Sequence, residues 1–529
     1  MNRGIVHFMQ TQHARTAGKT SQSEKKHRKF SITTQLRLRS SAEWMRARNT
    51  QIYKRFQQAV ADVPAYTSFL KKQHFEPTSV RGGKDVTCIP PISKQNYLRA
   101  FPWKELITRN GLTEKSLVLT ATSGSTGQPF YIPRTDELHD ASAVMHKLFL
   151  ERSGLDPMEP TLVMVCFGMG VWIGGLLTYE AFRRASATDW PLTVITPGVS
   201  KKEIFDTLER IGPAYTQLIL CGYPPFIKDL LDDGASQGIR WRKWDMRIVC
   251  AAEAFSERFR DYLLKKTGMK DPYRSVMNIY GSAELGTMAT ETPLSILLRR
   301  LALNNNSLYR KLFSEAHRLP TLAQFVPDFT AFEAGEDGTV YATAGSVLPF
   351  VRYSIGDQGG VFTYDDAQRW CAESGMNLRS EITRAGIADT VTELPFVYLY
   401  ERADLSTKLY GAIIFPEHVK VGLQDPAFEK VVTGRFTMTT EHDANHNEYL
   451  EVNVELQHGV EDDAALREAL SASIVKSLSA SSGEYQNNRV NMGDRVSPRV
   501  VLWQHEDPKY FNPSIKQKWV LKPKDGQAA

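Results

Sequence analysis

Cysteine is scarce in this 529-residue chain, and what there is lies scattered. Cys88, Cys166, Cys221, Cys250 and Cys371 stand far apart, with no C-x-x-C pair among them. An odd, dispersed set excludes a disulfide scaffold and predicts reduced, buried thiols. The first residues lack the apolar core of a secretory leader, and no internal repeat is evident. Acids are also missing at the start: residues 1–40 hold nine Lys/Arg against Glu24 alone. The rest of the chain is therefore close to neutral, so a pI near 8.8 is no argument for a nucleic-acid partner. Ser, Thr and Gln fill that tail without periodicity, which predicts a disordered basic segment over residues 1–40. Its composition is shared with organelle transit peptides, but a solvated tail is the preferred reading.

Long uncharged runs are rare as well. Thr161 to Tyr179 is 19 residues without a charge, near the length that spans a bilayer. Four glycines interrupt it, and its character changes midway: Leu162 to Phe167 reads as a buried strand, and Trp172 onward as a helix reaching Arg184. A membrane span is not expected. His442 and His446 sit in a polar turn between two strand-like runs, so they read as a solvated hairpin tip rather than a metal site.

What is present is alternation. Leu192 to Thr196 reads as a strand and Lys201 to Ile211 as a helix. Gln217 to Cys221 is a strand, then Pro225 to Leu231 a helix. Arg247 to Cys250 is a strand leading through Ala252 and Glu253 into a helix around Ser256 to Lys266. That pattern predicts an α/β fold with mainly parallel sheets, whose ligands bind at the carboxyl ends of strands. After about Asp404 the order changes. A strand is expected at Leu409 to Phe415, a helix at Pro416 to Leu423 and a hairpin from Phe436 to Leu456. A helix at Asp462 to Leu478 and a strand at Arg499 to Trp503 complete a small C-terminal α+β domain. The length suits two to four domains, and the expected division is a tail over 1–40, a large domain over 41–402 and a small one over 403–529.

The most informative segment runs from Leu119 to Phe130, with Thr122, Ser123, Gly124, Ser125, Thr126 and Gly127 at its centre. Glycines let a backbone approach an anion and turn its N–H groups inward, while hydroxyls add donors. It is not a Walker loop, because no Gly-Lys-Ser/Thr follows at that spacing. Four further segments follow in order: Asn278 to Glu284, with Tyr280, Gly281 and Ser282; Arg352 to Asp357; Glu401 to Asp404, with Arg402; and Pro513 to Trp519, with Lys516 and Lys518.

Together these segments resemble the adenylate-forming (acyl-CoA synthetase) superfamily. Val63-Pro64-Ala65-Tyr66, Ile89-Pro90-Pro91-Ile92-Ser93-Lys94 and Phe101-Pro102 resemble landmarks of its phenylacetate–CoA ligase-like branch. The resemblance covers roughly residues 50–520, apart from a stretch near 290–320. It implies two half-reactions: a carboxylate attacks the α-phosphate of ATP, giving an acyl-adenylate and pyrophosphate, and CoA or an amine then takes the acyl group. It implies roles too. The Ser123–Gly127 loop would cradle phosphates and Glu284 would hold Mg²⁺. Asp357 would bind the ribose with Arg402 nearby, and Ala252 and Glu253 would line adenine. Lys516, with Lys518 as the alternative, would neutralise the α-phosphate, and Asp404 would be the hinge. Three positions depart from the pattern: Gln128 stands for Lys in the phosphate loop, Ala283 for Thr or Ser before Glu284, and Ile515 for Gly before Lys516.

Met169, Trp172, Ile173 and Tyr223 are candidates for the acid pocket, with Gly170, Pro224 and Tyr280 beside them. Their aromatic and apolar character points to a hydrophobic or aryl acid. Lys201, Lys202 and Lys243 are the candidates for CoA phosphates. A cytoplasmic location and a monomer or homodimer are expected, with neither nucleic acid nor membrane as partner. A non-catalytic nucleotide-binding relative is the rival reading.

Overall fold

The computed structural model describes residues 31–113, 116–122, 130–169, 173–314, 319–345, 347–400, 407–410, 412–443, 448–512, 517 and 519–521. A twelve-stranded sheet runs through its centre. Leu192–Ile195, Thr161–Cys166, Gln217–Gly222, Asp245–Ala251 and Val276–Ser282 form a parallel half. Thr161–Cys166 and Gln217–Gly222 are buried at every position, as expected of Val/Leu/Ile runs covered by helices on both faces. Those helices are Ile173–Asp189, Lys201–Arg210, Pro224–Ser236 and Glu257–Thr267. Their starts are chemically marked: Ser200 and Ser256 accept hydrogen bonds from the backbone N–H groups of Glu203 and Phe259.

The sheet continues through antiparallel strands in the spatial order Gly286–Thr290, Thr321–Gln324, Phe396–Tyr400, Phe350–Phe362, Thr339–Ala344 and Ala331–Ala334. Within the uncharged run at 161–179 the described residues include the strand Thr161–Cys166 and the start of the helix Ile173–Asp189. No helix among the described residues is long and apolar enough to cross a membrane.

Three expectations are corrected. Residues 32–40, placed in the polar tail by composition, belong to the body. Ile32–Leu36 is a short helix with Ile32 and Leu36 buried. Its first N–H groups, on Ile32 and Thr33, donate to the two oxygens of Glu151 at 2.9 Å, and Arg37 donates to the carbonyls of Val391 and Ala388. The single strand expected at 409–415 is a tight hairpin instead, Thr407–Leu409 against Ala412–Ile414, because the chain turns at Tyr410 with φ of 47°. Cys88 is exposed, while the other four cysteines are buried thiols as expected.

Beyond the hairpin, Val432–His442 pairs antiparallel with Glu448–Leu456, which pairs parallel with Arg499–Trp503. The helices Pro416–Leu423 and Ala464–Ser481 cover this sheet. One buried apolar cluster, from Leu409 to Trp519, is built solely from this part of the chain.

Candidate active site

Among the described candidate residues, some follow the carboxyl ends of parallel strands and Asp357 lies in an antiparallel one. The strand Val276–Ser282 carries Tyr280, and the antiparallel Phe350–Phe362 carries Asp357. Asp357 lies within that long strand, which also accommodates Gly356 with φ of 96°. The Tyr280 hydroxyl donates to Asp357 Oδ2 at 2.5 Å, bringing together two residues that the sequence separates by 77 positions.

Glu284 follows the same strand and is nearly buried. Gly281 is required here, since a Cβ would lie 2.7 Å from the carbonyl oxygen of Gly286 as the chain doubles back. Ser282 Oγ accepts from Leu285 N–H at 3.1 Å and so helps form the turn that presents Glu284.

Two cations flank that carboxylate. Lys94 Nζ lies 3.9 Å from Glu284 Oε1. It is carried there by a two-residue strand, Ile92–Ser93, paired parallel with Tyr353 and Ser354. On the other side Arg134 is buried, donating from Nε to Thr120 Oγ1 at 2.7 Å and from Nη2 to the carbonyl of Ala283. Burial lowers its pKa to about 9, and the nearby Glu284 opposes that shift. Arg134 was not singled out from sequence. The available signal was a lone cation in the short strand Tyr131–Arg134, directly after the hydroxyl-rich loop.

Thr122 and Phe130 close the neck of that loop: each backbone N–H reaches the other residue, Thr122 N to Phe130 O and Phe130 N to Thr122 Oγ1, both at 3.0 Å. The Thr122 hydroxyl thus accepts one bond in loop closure and keeps its own proton to donate. Ser123, Gly124, Ser125, Thr126 and Gly127 lie outside the described residues, as do Trp172, Arg402, Asp404, Lys516 and Lys518. The residues flanking Lys518 are anchored on Val432–His442: Gln517 Nε2 donates to Phe436 O at 3.0 Å, and the Trp519 ring packs 4.7 Å from that of Phe436.

Ala252 and Glu253 follow the strand Asp245–Ala251, with Ala252 exposed at φ of 75° and Glu253 buried. Tyr223 packs its ring edge-on at 5.1 Å from Phe167, and burial raises its pKa. Met169 lies over Gly175, where a Cβ would come within 2.4 Å of its sulfur, and Ile173 begins the next helix. These three share the end of the sheet where Thr161–Cys166 and Gln217–Gly222 finish. Of the lysines nominated for CoA, Lys201 is half-buried and Lys202 and Lys243 are exposed. Lys201 pairs with Asp233 at 2.9 Å and Glu506 at 3.3 Å, Lys202 pairs with Asp206, and Lys243 lies 3.9 Å over the Trp244 ring.

A cavity of about 750 Å³ lies between the helices Glu257–Thr267, Pro293–Leu303 and Pro416–Leu423, lined by Phe255, Arg300, Tyr400 and Lys420 among others. It adjoins the Ala252–Ser256 loop but includes neither Glu284 nor Asp357, so it is a cleft beside the candidate site and not its centre. No group of three or more His, Cys, Asp or Glu residues among the described ones could hold a metal by itself. A single buried carboxylate fits Mg²⁺ that arrives with a nucleotide, since that ion takes one or two carboxylates and completes its shell with phosphate oxygens and water.

No protein-family model matches the chain, and no curated protein matches it in sequence. Solved structures do match. 2-Hydroxyisobutyryl-CoA ligase in its postadenylation state, in complex with R3-HIB-AMP, superposes with a TM-score of 0.65 at 15% identity, over 96% of this chain and 95% of that one. The chain has the fold of the adenylate-forming ligases. The same ligase with 2-HIB-AMP and CoA in its thioesterification state gives 0.52 at 15% identity, over 93% and 92% of the two chains. An acyl acid amido synthetase in complex with 2,4-DB gives 0.57 at 12% identity, over 93% of each.

Proposed function

We propose that this protein activates a carboxylic acid with ATP, releasing pyrophosphate, and passes the acyl group from the adenylate to CoA. The observation that carries this reading is the hydrogen bond from Tyr280 to Asp357, which ties the strand leading to Glu284 to the strand of Asp357. Attack of a carboxylate on an α-phosphate joins an anion to a polyanion, so the protein's task is positioning and charge neutralisation. In this scheme Asp357 accepts hydrogen bonds from the ribose and is oriented by Tyr280. Ala252 and Glu253 line the base, and Arg402 assists at the ribose.

The Ser123–Gly127 loop holds the β- and γ-phosphates, with Lys94 and Arg134 adding positive charge behind it. Glu284 holds Mg²⁺, which when bound neutralises phosphate charge. Lys516 neutralises the α-phosphate. The acid lies against Met169, Trp172, Ile173 and Tyr223, whose character suits a hydrophobic or aryl acid. The self-contained apolar cluster from Leu409 onward supports reading 403–529 as a small domain that moves about Asp404 between half-reactions. We assign the enzyme to the phenylacetate–CoA ligase-like branch and to the cytoplasm.

Transfer to an amine is the second reading. It is favoured by the half-buried pairing of Lys201 with Asp233 and Glu506, which occupies one nominated anchor for the CoA phosphates, while Lys202 and Lys243 stay exposed. Acid-dependent ATP–pyrophosphate exchange over a panel of acids, followed by CoA or amines as acceptor, tests both. Absence of exchange with every acid overturns the activating reading. Exchange with amide but no thioester product selects the second.

A further inference from the structure

The segment after the strand Asp245–Ala251 is held in an unusual way. Ala252 adopts φ of 75°, a left-handed conformation that a residue with a Cβ seldom adopts and that persists only where the surroundings enforce it. Two buried side chains do so by gripping the carbonyls that follow. Asn278 Nδ2 donates to Glu253 O at 3.0 Å, and Arg299 Nη2 donates to Phe255 O at 3.0 Å.

Both grips rest on one buried carboxylate. Glu291 Oε2 accepts from the backbone N–H of Asn278 at 3.0 Å, and Oε1 accepts from Arg299 Nη1 at 2.8 Å. Arg260 forks onto both oxygens of Glu291 and also binds Glu257, which Arg299 and Arg300 reach as well. Burial works against the charge on Glu257, yet Arg260 and Arg299 hold its pKa down to about 2. Glu291, Arg299 and Arg300 lie at or within the stretch near 290–320 that the family resemblance leaves unmatched.

A network of two buried guanidinium groups and two buried carboxylates, with Arg300 at its half-buried edge, is an expensive way to fill a core, and apolar side chains pack as well. It does give fixed geometry, because a planar guanidinium locks direction as well as distance. We propose that Asn278 and Arg299 are positioning residues that set the shape of the Ala252–Ser256 loop and, through it, the discrimination of adenine from other nucleobases. This rests on the nucleotide-activating reading above. A base is read by closely placed groups along its edge, so a small shift of the loop lowers selectivity while leaving the phosphate contacts intact.

The test is calorimetric binding of AMP, GMP and magnesium pyrophosphate to the full chain, with melting temperature measured in parallel. Asn278→Ala removes one hydrogen bond. Arg299→Lys keeps the charge beside Glu291 and drops the arm to Phe255. Expected for both is an AMP affinity reduced about tenfold, an AMP-to-GMP preference reduced by a similar factor, and unchanged pyrophosphate binding. In exchange assays KM for ATP rises while kcat holds. An unchanged AMP-to-GMP preference in both variants overturns the proposal. So does a fall of AMP and pyrophosphate binding together, in step with melting temperature, since that reports a structural role alone. A wild-type chain that binds no adenine nucleotide overturns the parent reading first, and this one with it.

Discussion

The hydroxyl of Tyr280 donates to Asp357 across the seam between the parallel and antiparallel halves of the sheet, at 2.5 Å. The bond orients a carboxylate proposed to bind a ribose, and its loss is measurable. Tyr280→Phe is expected to raise KM for ATP by the value of a hydrogen bond to a charged group, about 1.5–3 kcal/mol, or roughly tenfold or more. Steady-state exchange kinetics check this; an unchanged KM would remove Asp357 from the nucleotide site.

Lys516→Ala is expected to slow adenylation by roughly 10²–10³ with little change in ATP affinity, because charge is reorganised at the α-phosphate only in the transition state. Lys518→Ala is the comparison. If it is the variant that loses exchange, the role belongs to Lys518. If neither does, the C-terminal resemblance misleads.

Truncation separates the tail from the body. Removing residues 1–30 leaves folding and exchange intact. Removing 1–40 also strips Ile32 and Leu36 from the core and leaves Glu151 without its three donors from Ile32 and Thr33. At about 1.5–3 kcal/mol for each buried side chain, the longer truncation is expected to lower the melting temperature clearly. Equal melting temperatures for the two truncations would contradict the docking.

Acid sensitivity has an identifiable source in His146. Burial lowers its pKa to about 4 from an ordinary 6.5, opposed by the hydrogen bond of Nδ1 with Ser142 O. The folded chain therefore binds this proton less readily than the unfolded one. The stability it contributes is complete above 6.5 and is lost as pH falls from there toward 4. By pH 5 the loss is about 2 kcal/mol, and His146→Gln is expected to flatten that part of the profile. Urea melts at pH 7 and 5 measure the difference, which a shared slope for both proteins would refute.

Asp404→Pro fixes φ near −65° at the proposed hinge. The acyl-adenylate should still form, while transfer to CoA or an amine slows by a larger factor. If both half-reactions fall together with the amount of folded protein, Asp404 is a loop acid and the hinge reading is dropped.

The parallel half of the sheet was legible because its strands are short apolar runs, most of them closed by glycine or proline, and two of its helices begin at Ser200 and Ser256. The antiparallel half was not. In Phe350–Phe362 glycines at 356, 359 and 360 break the apolar pattern of a strand, yet Gly359 lies so close to Tyr398 that a Cβ would come within 1.9 Å of its carbonyl oxygen. Such a demand comes from a neighbour distant in sequence and leaves no local trace. The same holds at the site. Tyr280, Glu284 and Asp357 could be named from motifs, whereas Arg134, Asn278, Glu291 and Arg299 acquire meaning only through partners that the fold supplies.

Arg352 donates to the carbonyl of Ile89, 263 residues earlier, and the strand Ile92–Ser93 completes its pairing on Tyr353 and Ser354. The segment that carries Lys94 therefore emerges early from the ribosome and finds its seat only after most of the large sheet has been made. Closing so long a loop costs entropy before any contact rewards it. Until then Phe56, Tyr66, Phe69 and Tyr97, whose rings meet one another in the finished protein, lack the later part of the apolar cluster that they share with Phe350 and Tyr353. Synthesis thus opens an interval in which the nascent chain is exposed to aggregation, and chaperone demand should track the time between translation of residue 97 and residue 353.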